Sequence, residues 1–396
     1  MWKPLSRKGL TALTALLLVC LTASIAFGAV VAQLQVRQLI PGMAEKKIQL
    51  PEPRLAQLKA TKVRADMEAL RQNYFVRNNV PFIRAAEGEE YELIPLSKME
   101  YTPSAVQLQK SQVLAAPLSD LRPYILKRAA IMRVTPNVVD HRPDQTSVKN
   151  QSNRGTCVCF ASMAGLEVAY GGGSLDLSEQ YANYLYMKAG GHGCKSAGLQ
   201  THMSADYLTA HGVCQEGICQ YQNDKYNFPS YCNNGGLPAP AKRVSAEASS
   251  HYGIKGYQKI WRNDSLAADT GIWINNPRYL EALLRSGKDI VFGTHVAGWV
   301  SPYTGVLDVK LGPSGNPLPS VGGHAMLIVG YNKPQEYFIV KNSWGTSRGQ
   351  AGYLYLSYDY IRTYAKYGYV INEAHPLVLT IRRPMLRAVP RIRRSE

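Results

Sequence analysis

The sequence predicts an α+β fold in two lobes, with helices in the first lobe and strands in the second. After about residue 134, stretches with helical spacing come first, and runs rich in apolar and aromatic residues between turn signals follow them. Helices and strands that are grouped in this way form separate layers and do not alternate along a parallel sheet. We therefore expect a helical lobe followed by a strand lobe.

The first predicted helix starts at Cys157 and ends where three consecutive glycines, 171–173, break it. The second helix covers 178–187 and the third covers 277–286. The predicted strands are Ile290–Val296, 325–331, Tyr337–Lys341 and 352–357. Cys157 therefore lies in the first turn of a helix.

A predicted turn at 332–336 joins two of these strands into a hairpin. His324 comes just before the first strand and Asn342 just after the second, so the two residues lie at the same end of the hairpin. The side-chain carbonyl of Asn342 can accept from one imidazole nitrogen and leave the other nitrogen for a second partner. A lone histidine beside glycines is more often structural; the pairing with Asn342 favours a functional role.

A cysteine at the start of a helix is a candidate nucleophile, because the helix dipole and the free backbone N–H groups stabilise its thiolate. Cys157 has this position, after Gly155 and Thr156. The alternative is a structural cysteine, since free cysteines are among the most buried residues. Cys159 is a rival nucleophile, but two helical residues turn it about 200° away from Cys157. We expect Cys159 to be buried or bridged.

Several short motifs occur in a fixed order along the chain. They are Gln151 six residues before Cys157, Leu-Ser-Glu-Gln at 177–180, Gly323-His324-Ala325, and Asn-Ser-Trp-Gly at 342–345. In this order they resemble the papain family of cysteine peptidases over about 135–360. The resemblance implies a papain-like fold with a helical lobe, an antiparallel β-barrel-like lobe, and an active site in the cleft between them.

The resemblance also implies a role for each matching residue. Cys157 would be the nucleophile, His324 the base and then the acid, and Asn342 the residue that orients His324. Gln151 would donate to the oxyanion beside the backbone N–H of Cys157. The implied reaction hydrolyses peptide bonds through a thioester acyl-enzyme and requires no cofactor or metal. The expected partners are protein or peptide substrates.

Two further positions are expected to contact the substrate. Gly323 leaves the wall beside His324 open, which favours an apolar substrate side chain. Trp344 is expected both at the substrate and over the hydrogen bond between His324 and Asn342, where it would exclude water.

Four positions depart from the family pattern. Val158 stands where the family usually has Trp, and Cys159 where it usually has Ala. Arg154 replaces a cysteine that normally forms a disulfide, and Arg348 replaces a second Trp. We therefore expect different packing around the nucleophile.

Two other function classes remain open. A transglutaminase, amidase or peptide ligase uses the same cysteine and histidine, with an amine in place of water. A binding protein on this fold whose catalysis has lapsed is the second alternative.

The chain divides into four predicted regions. Residues 1–32 have the order of an export signal, because positive charges precede an uncharged apolar run at 9–32. That run, about 20 residues or more, is long enough to remain as a membrane anchor. Residues 33–133 are predicted to be a pro-segment or accessory region, 134–376 the peptidase domain, and 377–396 a basic tail. We expect a secreted or periplasmic protein.

Within the second region, apolar residues at 51–79 predict an amphipathic helix. The alternative to an inhibitory pro-segment is an extension without an inhibitory role.

The formal net charge of the 396-residue chain is +17, and much of the excess lies outside the predicted peptidase domain. No recognised nucleic-acid module accompanies this charge, so we expect no nucleic-acid partner. The arginine-rich tail is a candidate site for an acidic partner.

Six of the seven cysteines follow the export segment. If Cys157 is the free nucleophile, the other five allow up to two disulfides.

Overall fold

The computed structural model describes residue 56 and residues 65–85, 88–100, 136–189, 198–222, 240–264, 271–301 and 303–376. The predicted export segment and basic tail lie outside the described residues, as do 101–133, Cys194 and Cys232. Within the described ranges, no helix combines the length and the apolar character that a bilayer crossing requires.

Of the eight described α-helices, two precede the predicted peptidase domain, four lie in its first half and two in its second half. They are α1 (Met67–Asn73), α2 (Leu96–Met99), α3 (Cys157–Ala169), α4 (Glu179–Ala189), α5 (Thr201–His211), α6 (Pro240–Ala248), α7 (Pro277–Arg285) and α8 (Tyr358–Tyr364). A short 3₁₀ helix covers Arg142–Asp144.

The described strands form two sheets. They are β1 (Tyr74–Arg77), β2 (Val80–Arg84), β3 (Glu90–Glu92), β4 (Val138–Asp140), β5 (Tyr252–Trp261), β6 (Ile290–Val296), β7 (Val306–Leu307), β8 (Gly322–Asn332), β9 (Tyr337–Lys341), β10 (Tyr353–Ser357) and β11 (Ala365–Pro376). The N-terminal sheet has the order β1-β2-β3, and the large sheet has the order β5-β11-β6-β8-β9-β10-β7, with β4 paired to β8. The strand pairs are antiparallel except for β7 with β10.

The α+β class is confirmed, and the described strands of the large sheet form an open sheet rather than a closed barrel. The predicted helix at 178–187 is observed as α4, and the predicted strand at 325–331 is longer, as β8. The hairpin is also confirmed, since Asn332 pairs with Tyr337 across the turn. Strands β5 and β11 were not predicted.

The helix predicted over 51–79 is wrong at its end. Helix α1 stops at Asn73, and strand β1 follows it directly. The aromatic and β-branched residues of β1 favour a strand. Asn78 and Asn79 both have positive φ, 52° and 61°, which is the conformation of a tight turn between two paired strands.

Strand β8 lies between two apolar cores, and its side chains alternate between them. Met326 and Ile328 belong to the core that contains α7 and α8, whereas Ala325 and Leu327 belong to the core that contains α3. This alternation follows from the two-residue period of a strand. Strand β8 therefore lies where the two lobes meet.

Candidate active site

The side chain of Cys157 lies at the N-terminus of α3 against the start of β8. Backbone N–H groups of Cys157, Val158 and Ala325 face its sulfur. The N-cap hydroxyl of Thr156 does not cap the helix, because it bonds the Tyr221 hydroxyl at 2.7 Å. The first N–H groups of α3 are thus left for the sulfur and for an oxyanion formed beside it.

Asn342 holds the imidazole of His324 from one side. His324 Nε2 lies 2.8 Å from Asn342 Oδ1. The backbone N–H of Ser343 donates to the same oxygen at 2.8 Å, which fixes the orientation of the amide. Because that oxygen only accepts, Nε2 carries the proton and Nδ1 is the basic nitrogen. Within the described residues, Nδ1 of His324 is buried and has no hydrogen-bond partner.

Trp344 covers this pair. Its ring stacks on the imidazole of His324, with centroids 4.5 Å apart and an interplanar angle of 27°. Trp344 is fully buried. The Trp344 ring also stacks on Tyr91 of the N-terminal sheet, at 4.7 Å and 15°. Water is therefore excluded from the hydrogen bond between His324 and Asn342.

Gln151 is buried and held by two hydrogen bonds. Its side-chain nitrogen donates to the Arg154 carbonyl at 2.8 Å, and its side-chain oxygen accepts from Ser343 Oγ at 2.7 Å. An amide nitrogen carries two hydrogens, so one N–H remains for an oxyanion. The loop before Cys157 is thereby fastened to the segment that carries Asn342.

The Leu-Ser-Glu-Gln motif holds α4 in the helical lobe through buried polar contacts. Glu179 accepts from Lys149 at 2.7 Å, and Lys149 also pairs with Glu167 at 2.9 Å. The surrounding carboxylates hold the pKa of Lys149 above its ordinary value, although burial opposes this. Gln180 accepts from Arg154 at 2.8 Å.

The substituted arginines also have defined contacts. Arg154 lies over the Tyr221 ring at 4.7 Å, so polar and cation–π contacts stand where the family pattern has a disulfide. Arg348, almost fully buried, donates to Glu89 at 2.9 Å and to the Tyr91 hydroxyl at 3.3 Å. Arg348 therefore ties the strand lobe to the N-terminal sheet.

A covering segment, residues 93–99, lies over the site, and no pattern in the sequence predicts it. Ile94 and Gly323 exchange two backbone hydrogen bonds, each 2.7 Å long. Ile94 and Met99 belong to the same buried cluster as Cys157. An added Cβ at Gly322 or Gly323 would meet Leu93 at 2.8 Å or Met99 at 2.3 Å, so the glycines make room for the segment.

Burial sets the charge states of Cys157 and His324. Burial raises the pKa of the Cys157 thiol to about 12 and lowers the pKa of His324 to about 4, against the favourable effect of Asn342. Both groups are therefore neutral near pH 7 in this structure. A reactive thiolate at Cys157 needs a neighbouring imidazolium or contact with solvent. The buried site provides neither, because His324 is neutral and water is excluded.

The other described cysteines, Cys159, Cys214 and Cys219, form no disulfide within the described residues. Cys159 lies 3.9 Å from Asn183 Oδ1, inside the helical lobe. Cys214 and Cys219 are buried as well.

Within the described residues, no three His, Cys, Asp or Glu side chains converge where they could hold a metal ion.

Comparison with known proteins gives a consistent result. The family described as papain family cysteine protease matches residues 135–369. Ananain of Ananas comosus is 29% identical over 237 residues, which are 58% of this chain and 58% of ananain. Fruit bromelain of the same plant is 26% identical over 305 residues, covering 73% of this chain and 75% of bromelain. The chain thus spans less than two thirds of ananain.

Among solved structures, the chain is similar in fold to xylellain, a cysteine protease from Xylella fastidiosa. The identity is 23% and the TM-score is 0.50, over 72% of this chain and 94% of xylellain.

Proposed function

The chain belongs to the papain family of cysteine proteases, and we propose that it is a cysteine peptidase that hydrolyses peptide bonds in proteins or peptides. The observation that carries this proposal is the placement of His324. Asn342 holds its Nε2, and the bare Nδ1 lies at the start of β8, where Ala325 faces the Cys157 sulfur.

In the proposed reaction, the sulfur of Cys157 attacks the peptide carbonyl carbon while its proton passes to Nδ1 of His324. The backbone N–H of Cys157 and the side chain of Gln151 stabilise the oxyanion. The carbon–nitrogen bond breaks and the leaving amine takes the proton from His324. Water then attacks the thioester, its proton passes to His324, and the carbon–sulfur bond breaks, which restores the thiol.

We further propose that 33–133 is a pro-segment and that the full-length chain is latent. The covering segment, the stacking of Tyr91 on Trp344, and the ion pair between Glu89 and Arg348 support this proposal. Removal of the segment would rehydrate the site, so the pKa of Cys157 would fall and that of His324 would rise.

Export is proposed as well. The charged start and the apolar run at 9–32 support a secreted or periplasmic peptidase, anchored by that run where it is not cleaved. The peptidase domain would span 134–376, and the tail 377–396 would meet an acidic partner.

The test uses a full-length open variant that carries Ile94→Ala and Met99→Ala, which removes two side chains of the cover and no residue of the catalytic machinery. We expect it to cleave an internally quenched peptide mixture. Adding Cys157→Ala or His324→Ala should lower kcat/KM at least about 1,000-fold. Cys159→Ala is the matched control and should leave most of the activity.

Product analysis with an added amine separates the function classes. A free carboxylate as the main product supports hydrolysis, whereas a new amide as the main product would make the enzyme a transferase. No cleavage, combined with no reaction of Cys157 with a thiol probe, would contradict the catalytic proposal.

A further inference from the structure

A methionine side chain fills a pocket next to the catalytic pair. Met99, at the end of α2, is fully buried and packs on Gly323, the residue before His324. A Cβ at Gly323 would lie 2.3 Å from the Met99 sulfur. The pocket therefore exists because position 323 has no side chain.

The floor of this pocket is a tyrosine hydroxyl. Tyr367 on β11 is almost fully buried, and its hydroxyl donates to the Met99 sulfur at 3.0 Å. A Cβ at Gly293 would lie 2.6 Å from the Tyr367 ring, so a second glycine makes room for this tyrosine. His202 packs edge-on against the ring at 5.5 Å and 80°. The hydroxyl is thus held in one place.

The Tyr367 hydroxyl needs another hydrogen-bond acceptor when the covering segment is displaced. A buried hydroxyl without a hydrogen bond is costly, and within the described residues the sulfur of Met99 accepts this one. The covering segment also pairs its backbone at Ile94 with Gly323 in both directions, as an added extended peptide would. A substrate in the same cleft would present a side chain to the same pocket.

We propose that the pocket between Gly323 and Tyr367 binds a substrate side chain and selects methionine, with Met99 as its internal occupant. The proposal rests on the proposed peptidase function. An unbranched thioether fits the narrow shape left by Gly323 and accepts from Tyr367. Norleucine has the same length but no acceptor, a glutamate would bring an unpaired charge, and a glutamine would bring an unpaired amide.

The first test measures binding and needs no catalysis. The full-length open variant that also carries Cys157→Ala is titrated with a fluorescent peptide of residues 89–100, containing either Met99 or norleucine at that position. We expect the methionine peptide to bind about fivefold more tightly, because only it satisfies the hydroxyl. Tyr367→Phe, which removes one oxygen atom, should bring the ratio of the two Kd values to about one.

The second test measures cleavage by the open variant with intact Cys157. Peptide pairs that differ only by methionine or norleucine are compared at each position around the scissile bond. At one position, we expect about a fivefold preference for methionine in kcat/KM, which Tyr367→Phe abolishes.

The outcomes separate the two proposals. A binding ratio near one, or a ratio that survives Tyr367→Phe, overturns the methionine pocket even if peptides are cleaved. A binding preference that depends on Tyr367 without cleavage of any peptide supports the pocket and overturns the peptidase function. Cleavage with no methionine preference at any position shows that Met99 only packs as part of the cover, and overturns the pocket as a specificity site.

Discussion

Opening the cover should change the reactivity of Cys157 by a large and calculable factor. At pH 7.5, a thiol with a pKa of about 12 is ionised in about one molecule in 30,000, against about one in ten for an ordinary cysteine. The stronger nucleophilicity of the more basic thiolate offsets about 40-fold of this difference. The full-length wild-type chain should therefore react with iodoacetamide at least about 50-fold more slowly than the open variant.

The assay is the rate of adduct formation on the peptide that contains Cys157, followed by mass spectrometry in intact, folded protein. Ser97→Ala is the matched control, since Ser97 is an exposed residue of the same covering segment. It should react as slowly as the wild type. Equal rates in the wild type and the open variant would refute the conclusion that the covering segment holds the thiol neutral and buried.

Three further predictions concern the contacts around the site. Arg348→Met nearly keeps the volume but removes the ion pair to Glu89, so Cys157 labelling should accelerate about tenfold. Arg362→Met, which removes an ion pair within α8, should leave the rate within about twofold, and the reverse order would contradict the role of Arg348 in holding the covering segment. Arg154→Ala should lower the free energy of unfolding by about 2–4 kcal/mol in urea, because it removes the buried hydrogen bond to Gln180 and the contact with the Tyr221 ring; a change below about 0.5 kcal/mol would contradict that role. The pKa of His324 is lowered in the folded chain, so the stability that depends on its neutral form is present above about pH 6.5 and is lost as the pH falls towards about 4. The Tm should therefore fall over this pH window, and the fall in Tm should be smaller in His324→Gln. Equal slopes of Tm against pH in the two chains would contradict the burial of a neutral imidazole.

The features of the site that could be predicted from the sequence depend on short-range patterns along the chain. The position of Cys157 follows from a helix start, and the meeting of His324 with Asn342 follows from a hairpin whose turn is short. Each of these signals lies within about twenty residues of sequence. The helical position of Cys157 and the pairing of His324 with Asn342 could therefore be predicted from short stretches of sequence.

The unpredicted part depends on distant pairings. Strand β11 joins β5 across more than 100 residues, and neither strand has a turn signal that names its partner. The cover over Cys157 comes from residues 93–99, and its fit depends on Gly322 and Gly323 more than 200 positions away. A glycine in the sequence indicates space, but not what fills it.

The substituted residues show the same limit. Arg348 was expected only to alter local packing, because the sequence does not reveal that Glu89 and Tyr91 lie beside it. Its burial is understandable once the N-terminal sheet is present, since a buried guanidinium needs acceptors. The role of Arg348 therefore depends on contacts with residues that are distant in the sequence.

The proposed reaction depends on an acyl-enzyme that forms on Cys157 with the help of His324. The most direct measurement is a rapid acid quench of the open variant during turnover of an activated ester substrate, followed by mass spectrometry of the acylated peptide. We expect one acyl group, located on Cys157 and absent from Cys157→Ala and His324→Ala. An acyl group on Cys159, or steady turnover with Cys157 unmodified, would contradict the proposed reaction.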